Sequence, residues 1–278
     1  MGSDKCMYPK ELICELYAPG SNLVEFVATL RNIPGALSQA SNVIATLGIN
    51  VLSGFHTALP TETQATWSFF AELNKKTKTE QVIDALKGTG IITDVKVRQA
   101  QSPGLLIDDL HFPLCVLGDR AVVFRLDTLE AMFRHLTEMA GGNIARVLRH
   151  QLGIEAGRAK ARRVQEEFHL HGEDALRIIL AERVAKGWGI ASLLKYDSTN
   201  GAALITVKEL YECICVRSEN VAIESKGEFF RGYLEGVLST LMNSKINVRE
   251  IECVREGHLQ CSFEAYRSRL APEYLLSS

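Results

Sequence analysis

Gly232-Tyr233-Leu234-Glu235-Gly236, then Arg249-Glu250-Ile251-Glu252-Cys253, then Gly257 and Cys261-Ser262-Phe263, is the stretch whose reading decides the fold of the C-terminal half. Gly232 and Gly236 lie one turn apart in a helix expected over residues 229–242. Residues 247–253 and 258–265 alternate as two strands of a hairpin. Across that hairpin, Glu250, Cys253 and Cys261 offer one carboxylate and two thiols that can converge on a point. Soft thiolates with one hard oxygen suit zinc better than calcium or magnesium. The alternative reading is two thiols packed in a plain hairpin core.

Upstream, Leu129, Met132, Phe133, Leu136 and Met139 mark one face of a helix, with Asp127 as N-cap and Glu130 at the capping-box position. A short strand is expected over 121–124. Gly141-Gly142 interrupts, and helix resumes over 145–157 and again over 173–186. Strands at 190–196 and 202–207 flank the turn Asp197-Ser198-Thr199-Asn200-Gly201. Residues 213–216 read as extended, placing Cys213 and Cys215 on one face. His169-Leu170-His171 alternates as in a strand.

The N-terminal third has its own rhythm. Residues 23–30 read as a strand, and Asn32-Ile33-Pro34-Gly35 as a turn into a helix over 36–47. Gly48 stops that helix. Strands at 49–58 and 65–73, a helix at 79–86 and a strand at 91–97 complete a βαββαβ order, the ferredoxin-like arrangement. Residues 101–118 form a linker, opening on the turn-rich Gln101-Ser102-Pro103-Gly104 and carrying an apolar strip over 105–117.

Composition bounds these readings. The 278 residues are 46% hydrophobic and 23% charged, ordinary for a folded chain of about two domains. A net charge of -2 gives no global drive toward nucleic acid or anionic membranes. No apolar run approaches the roughly 20 residues of a membrane span. Seven scattered cysteines, an odd count, point to reduced thiols and a cytoplasmic setting. Gly187-Trp188-Gly189 lacks the lysine and hydroxyl of a phosphate loop, and the chain has no G-x-S-x-G elbow. Arg146, Arg149, Arg158, Lys160, Arg162 and Arg163 form a local basic cluster, read as a solvated face.

Two resemblances follow from these residues. Leu30-Arg31-Asn32-Ile33-Pro34-Gly35-Ala36-Leu37, with Gly48-Ile49-Asn50-Val51, resembles an ACT domain, over about residues 21–100. That resemblance implies a regulatory module binding an amino acid or similar ligand at Asn32, Pro34, Gly35, Ala36 and Leu37. It also implies pairing into homodimers. Free backbone N–H groups at a helix N-terminus suit a carboxylate, although Asn32 stands where the family commonly has an acid.

Gly141-Gly142, Gly187-Trp188-Gly189 and the stretch from Gly232 to Phe263 resemble the 4-vinyl reductase domain, over about residues 119–270. This sensor fold, related to a trafficking-complex subunit family, is mixed α/β and holds a hydrophobic or aromatic ligand beside zinc in its phenol-responsive members. The resemblance implies metal ligation by Glu250, Cys253 and Cys261, with Trp188, Phe229, Phe230 and Tyr233 as candidate pocket residues. Those sensors carry a further cysteine where this chain has Gly227. The fourth donor is then Cys213, Cys215, His258, Glu228 or water. The reading is an α+β ligand-sensing regulator, not an enzyme; a reductase or a dimeric scaffold are the alternatives.

Overall fold

The computed structural model describes residues 8–214 and 227–268. The chain divides into two units, Met1–Val122 and Val123–Ser278. Among the described residues, no helix is long and apolar enough to cross a membrane.

In the first unit, β1 (Glu15–Tyr17) precedes β2 (Leu23–Arg31), α1 (Ala36–Thr46), β3 (Asn50–Thr57), β4 (Gln64–Glu72), α2 (Thr79–Lys87) and β5 (Ile92–Gln99). The strands β2 to β5 form one antiparallel sheet in the order β3-β4-β2-β5. Alternation along β2 sends Val24, Phe26, Ala28 and Leu30 into one core with Ala40 and Ile44 of α1 and Val82 and Leu86 of α2. The opposite face of the sheet has a smaller core of Leu23, Phe70 and Leu106. Leu106 comes from β6 (Leu105–Ile107), which pairs with β1. So part of the stretch read as a linker is a strand. The hairpin of β7 (Cys115–Val116) and β8 (Asp119–Arg120) follows.

The second unit holds α3 (Leu126–Ala140), α4 (Gly142–Phe168), α5 (Gly172–Ala185), β9 (Ile190–Asp197), β10 (Ala202–Lys208), α6 (Tyr211–Ile214), α7 (Glu228–Leu241), β11 (Ile246–Glu252) and β12 (Cys261–Arg267). The last four strands make an antiparallel sheet in the order β11-β12-β10-β9. Its core joins Ile205, Val207, Val248 and Phe263 of the sheet to Leu176 and Ile179 of α5 and Phe230, Leu234 and Val237 of α7.

The structure corrects several local expectations. Residues 121–124 form no strand. A single bond from Ala121 N–H to the Leu114 carbonyl extends the β7–β8 hairpin, and Val122 is 72% exposed. Arg125, not Asp127, is the N-cap of α3, and the Asp127 carboxylate accepts from Thr128 N–H within the first turn. Gly141, at φ 78 and ψ 152, ends α3 and begins α4, a kink that only glycine takes without strain. The helix resumed after it runs on to Phe168. His169, at φ 55, closes that helix and His171 precedes α5, so these histidines share no strand. Residues 211–214 are a helical turn instead of extended chain, because Glu209 at φ 53 ends β10 and Leu210 carbonyl accepts from Cys213 and Ile214. Val216 and Cys215 lie outside the described residues, as does Cys6. A 3-10 turn over Val254–Glu256 and Gly257 at φ 92 delay β12 to Cys261.

The contact of α4 with α7 is backbone on backbone. Gly153 and Gly157 of α4 face Gly232 and Gly236 of α7, each pair spaced by one turn. A Cβ at Gly153 would strike the Phe229 carbonyl oxygen, and one at Gly157 that of Tyr233. From the other side, a Cβ at Gly232 would strike the His150 carbonyl and one at Gly236 that of Ile154. Only hydrogen at these positions lets the two helices meet so closely. A second link ties α4 to α5. Glu182 meets Lys160, while Lys186 Nζ donates to it at 2.5 Å and Arg183 lies 3.3 Å away.

Two outcomes follow for stability. Gly157→Ala gains about 1 kcal/mol of helix propensity but forces the helices apart. Its unfolding free energy in urea therefore falls by about 1–3 kcal/mol, in line with overpacking elsewhere; an unchanged midpoint refutes the close crossing. Burial works against the charge of Glu182, yet Lys160 and Lys186 lower its pKa from 4.5 to about 2. Its stabilisation is thus complete above the unfolded value and fades as pH falls toward 2. Glu182→Gln removes that part of the acid limb in a pH series of unfolding curves, and an identical limb in both proteins refutes the contribution.

Candidate functional site

The first turn of α7 is held by two carboxylates from outside the helix. Glu212 of α6 accepts from the N–H of Phe229 at 3.0 Å and of Phe230 at 2.7 Å. Glu250 of β11 accepts from Gly227 N–H at 3.1 Å. Gly227, the N-cap of α7, has no side-chain cap of its own. The helix start would otherwise leave these donors without acceptors, and its positive dipole end favours anions. Glu212 is buried, and burial pushes its pKa up to about 7 against the lowering effect of those two N–H bonds.

Beside this turn, Cys213, Glu250, Cys253 and Cys261 bring their ligand atoms within 4.8 Å of one another. The three sulfurs lie 3.6, 3.7 and 3.9 Å apart. A tetrahedral ion about 2.3 Å from each sulfur places sulfurs about 3.8 Å apart. The second oxygen of Glu250, Oε1, is buried and without a hydrogen-bond partner. Three thiols and one carboxylate with an unused oxygen therefore fit zinc in both spacing and chemistry.

Four acids this close cannot all ionise without a cation among them. Burial, followed by the charge at Cys253, pushes Glu250 up to about 8. The hydrogen bond to Cys253 is the first cause pushing the Cys213 thiol up. The hydrogen bonds from Cys213 and Cys261 hold Cys253 low. One negative charge thus gathers at Cys253, with its neighbours kept protonated around it.

Of the donors considered for a fourth position, Cys213 joins Glu250, Cys253 and Cys261. Glu228 is engaged by Arg231 at 2.6 Å, and His258 Nδ1 lies 3.1 Å from the Cys253 carbonyl, bracing the turn. Gly227 contributes its N–H alone. A Cβ there would press on Leu210. The sequence signal for Cys213 was its place among the cysteines; its helical turn, unlike the expected strand, is what aims it at the hairpin.

Trp188 carries a second cluster. Its ring lies 5.1 Å from Tyr233, 5.6 Å from Tyr211, 5.8 Å from Phe229 and 6.4 Å from Phe230. The Arg183 guanidinium sits 4.3 Å over the Trp188 ring. Phe230 and Tyr233 are buried in the unit's core, whereas Trp188 and Phe229 are half-buried at its margin. Tyr211 N–H donates to the Trp188 carbonyl at 2.9 Å, fastening the Gly187-Trp188-Gly189 loop to α6. Sequence reading missed Tyr211, Arg183 and Glu212, since nothing in their spacing links them to α7.

In the first unit, Asn32, Pro34, Gly35, Ala36 and Leu37 lie at the entry of α1. The Asn32 amide donates to the carbonyls of Leu59 at 3.0 Å and Glu62 at 2.8 Å. It therefore fastens the β3–β4 loop, a task that an acid could not perform. Gly35 is left-handed at φ 85, Ala36 is buried, and Leu37 packs on the core. Pro34 and Gly35 are exposed.

The vinyl-4-reductase domain family matches residues 206–267 of the chain. No curated protein matches it. Among solved structures, the phenol-responsive sensory domain of the transcription activator PoxR with phenol is 20% identical. That match covers 54% of this chain and 77% of that one, with a TM-score of 0.47. A vinyl-4-reductase family protein from Methanocaldococcus jannaschii is 17% identical over 54% of this chain and 99% of that one, with a TM-score of 0.31. The regulatory subunit of aspartate kinase from Thermus thermophilus is 16% identical over 28% of this chain and 50% of that one, with a TM-score of 0.24.

Proposed function

We propose that the C-terminal unit is the sensing module of a regulator. It binds a small hydrophobic or aromatic molecule against Trp188, Phe229, Phe230 and Tyr233, and holds zinc with Cys213, Glu250, Cys253 and Cys261. The observation that carries this reading is the shared first turn of α7. Glu212 and Glu250 grip its N–H groups from the metal side, and Phe229, Phe230 and Tyr233 leave the same helix toward Trp188. A ligand that moves these rings moves a turn whose anchors are a metal ligand and the neighbour of another. The match to the vinyl-4-reductase domain family supports the reading, since it spans both the thiols and the aromatic residues of α7.

Zinc in this place supplies a rigid crosslink between α6 and the β11–β12 hairpin. The chain's own part is to orient the donors: Glu250 through Gly227 N–H, and Cys213 through the hydrogen bonds of its helical turn. Ligand binding then shifts the unit between states only as far as its affinity for them differs.

The N-terminal unit we read as an ACT-like, ferredoxin-like module over about 21–100, joined through 101–118 to the sensor domain over about 119–270. The strand order β3-β4-β2-β5 with two helices on one face supports it. Its ligand is an amino acid at Asn32, Pro34, Gly35, Ala36 and Leu37. Its edge strand β3, where Val51, Leu52 and Phe55 are exposed, is the surface for a homodimer. The setting is cytoplasmic, where the thiols stay reduced.

Metal content of the purified full chain tests the first part. The expected result is one zinc per chain, with Cys213→Ser weakening zinc at least tenfold in a competition with a chromophoric chelator. Because thiols must shed protons to bind, affinity also falls as pH is lowered. Equal zinc affinity in Cys213→Ser and the parent removes Cys213 from the site. For the aromatic site, Trp67→Phe leaves Trp188 as the chain's tryptophan reporter. Adding phenol, indole or naphthalene then quenches Trp188 emission for at least one of them. The same compound raises stability by about 2.7 kcal/mol at a hundred times its Kd. Flat emission and flat melting across the three refute the aromatic site.

A further inference from the structure

Glu25 stands in the interior of a β-sheet with none of its surface exposed. It points away from the helix-covered core, since its neighbours Val24 and Phe26 fill that core. Its register partner on β5 is Arg98, but the Arg98 guanidinium pairs with Asp109 at 2.5 Å. A buried, fully desolvated carboxylate beside an arginine committed elsewhere is a costly arrangement without another cation.

The segment after β6 brings two more ligating groups onto this carboxylate. His111 Nδ1 lies 2.8 and 2.9 Å from the two oxygens of Asp108 and 3.2 Å from Glu25 Oε1. The ligand atoms of Glu25, Asp108 and His111 all lie within 4.8 Å of one another. Each carboxylate is oriented by a second set of bonds. Ser68 Oγ donates to Glu25 Oε1 at 3.1 Å, and the N–H groups of Leu110 and His111 donate to Asp108 Oδ1 at 3.2 Å. Such outer bonds are what fix metal ligands in direction. The remaining oxygen, Glu25 Oε2, is buried and has no partner. The Phe55 ring packs edge-on against His111 with centroids 4.9 Å apart, closing one side of the group.

We propose that Glu25, Asp108 and His111 form a divalent-cation site in the N-terminal unit, separate from the thiol cluster. Two carboxylates and one imidazole make an oxygen-rich, hard donor set, suited to manganese, iron(II) or zinc and without the thiolates of the other cluster. Charge favours the same assignment. Even a protonated His111 carries one positive charge against two carboxylates, one of them fully buried, whereas a dication balances both. The site needs the segment bearing Asp108 and His111 to lie on the sheet. Metal there therefore pins residues 108–111 to β2, adding a tie to the one already made by Leu106.

Manganese(II) binding to the full chain, read from the loss of the free aqua-ion signal in electron paramagnetic resonance, tests this. The expected result is one manganese bound per chain in the parent and in Cys253→Ser, and binding at least tenfold weaker in His111→Ala and Asp108→Asn. An undiminished free-ion signal with the parent chain overturns the site, and this needs no variant to fold. Binding that His111→Ala and Asp108→Asn leave unchanged, or that Cys253→Ser abolishes, overturns it as well.

Discussion

Everything in the second unit depends on how closely α4 and α7 approach. Gly153 and Gly157 on one helix meet Gly232 and Gly236 on the other, and each would drive a methyl group into the opposite backbone. Approach at backbone distance exchanges side-chain packing for dispersion and Cα–H contacts to carbonyl oxygens, each weak but repeated along the crossing. The gain is positional. With no side chains between them, the helices have a single closest register, and α7 is fixed against the long α4.

The fixed position of α7 gives its first turn a function. The turn ends with N–H groups that no residue within the helix can accept. Glu212 and Glu250 take them, one from the short helix after β10 and one from β11. Those acceptors sit next to, or within, the cluster of three thiols and a carboxylate. The aromatic rings of the same helix pack toward Trp188. A single helical turn therefore links a group built for a soft cation to a group built for flat apolar surface.

Much of this was legible in the chain. The period-two and period-3.6 patterns located the two sheets and most helices to within a few residues, because alternate burial leaves a regular mark. Gly232 and Gly236 were visible as a pair, and Glu250, Cys253 and Cys261 as a ligand set. Their counterparts Gly153 and Gly157 went unremarked, because a glycine pair in a helix has no meaning until its partner is known. Cys213 was one donor among several, and its segment read as a strand. That reading failed because four residues carry too little periodicity to outweigh a backbone turned by Glu209. The apolar run at 121–124 failed for a related reason: β propensity without a neighbouring strand to pair with makes no strand.

The sequence by itself determined the order of elements, the two-part organisation and which residue types were on hand for soft-metal and aromatic chemistry. These depend on local pattern and composition, which are properties of the chain. Tertiary structure alone decided which cysteine completes the thiol group, which carboxylates hold the start of α7, and that Asp108 and His111 come to rest on the buried Glu25. Each of these joins residues tens of positions apart. Such distances are set by helix crossing and sheet register, where close packing and the need to satisfy every buried polar group select one arrangement.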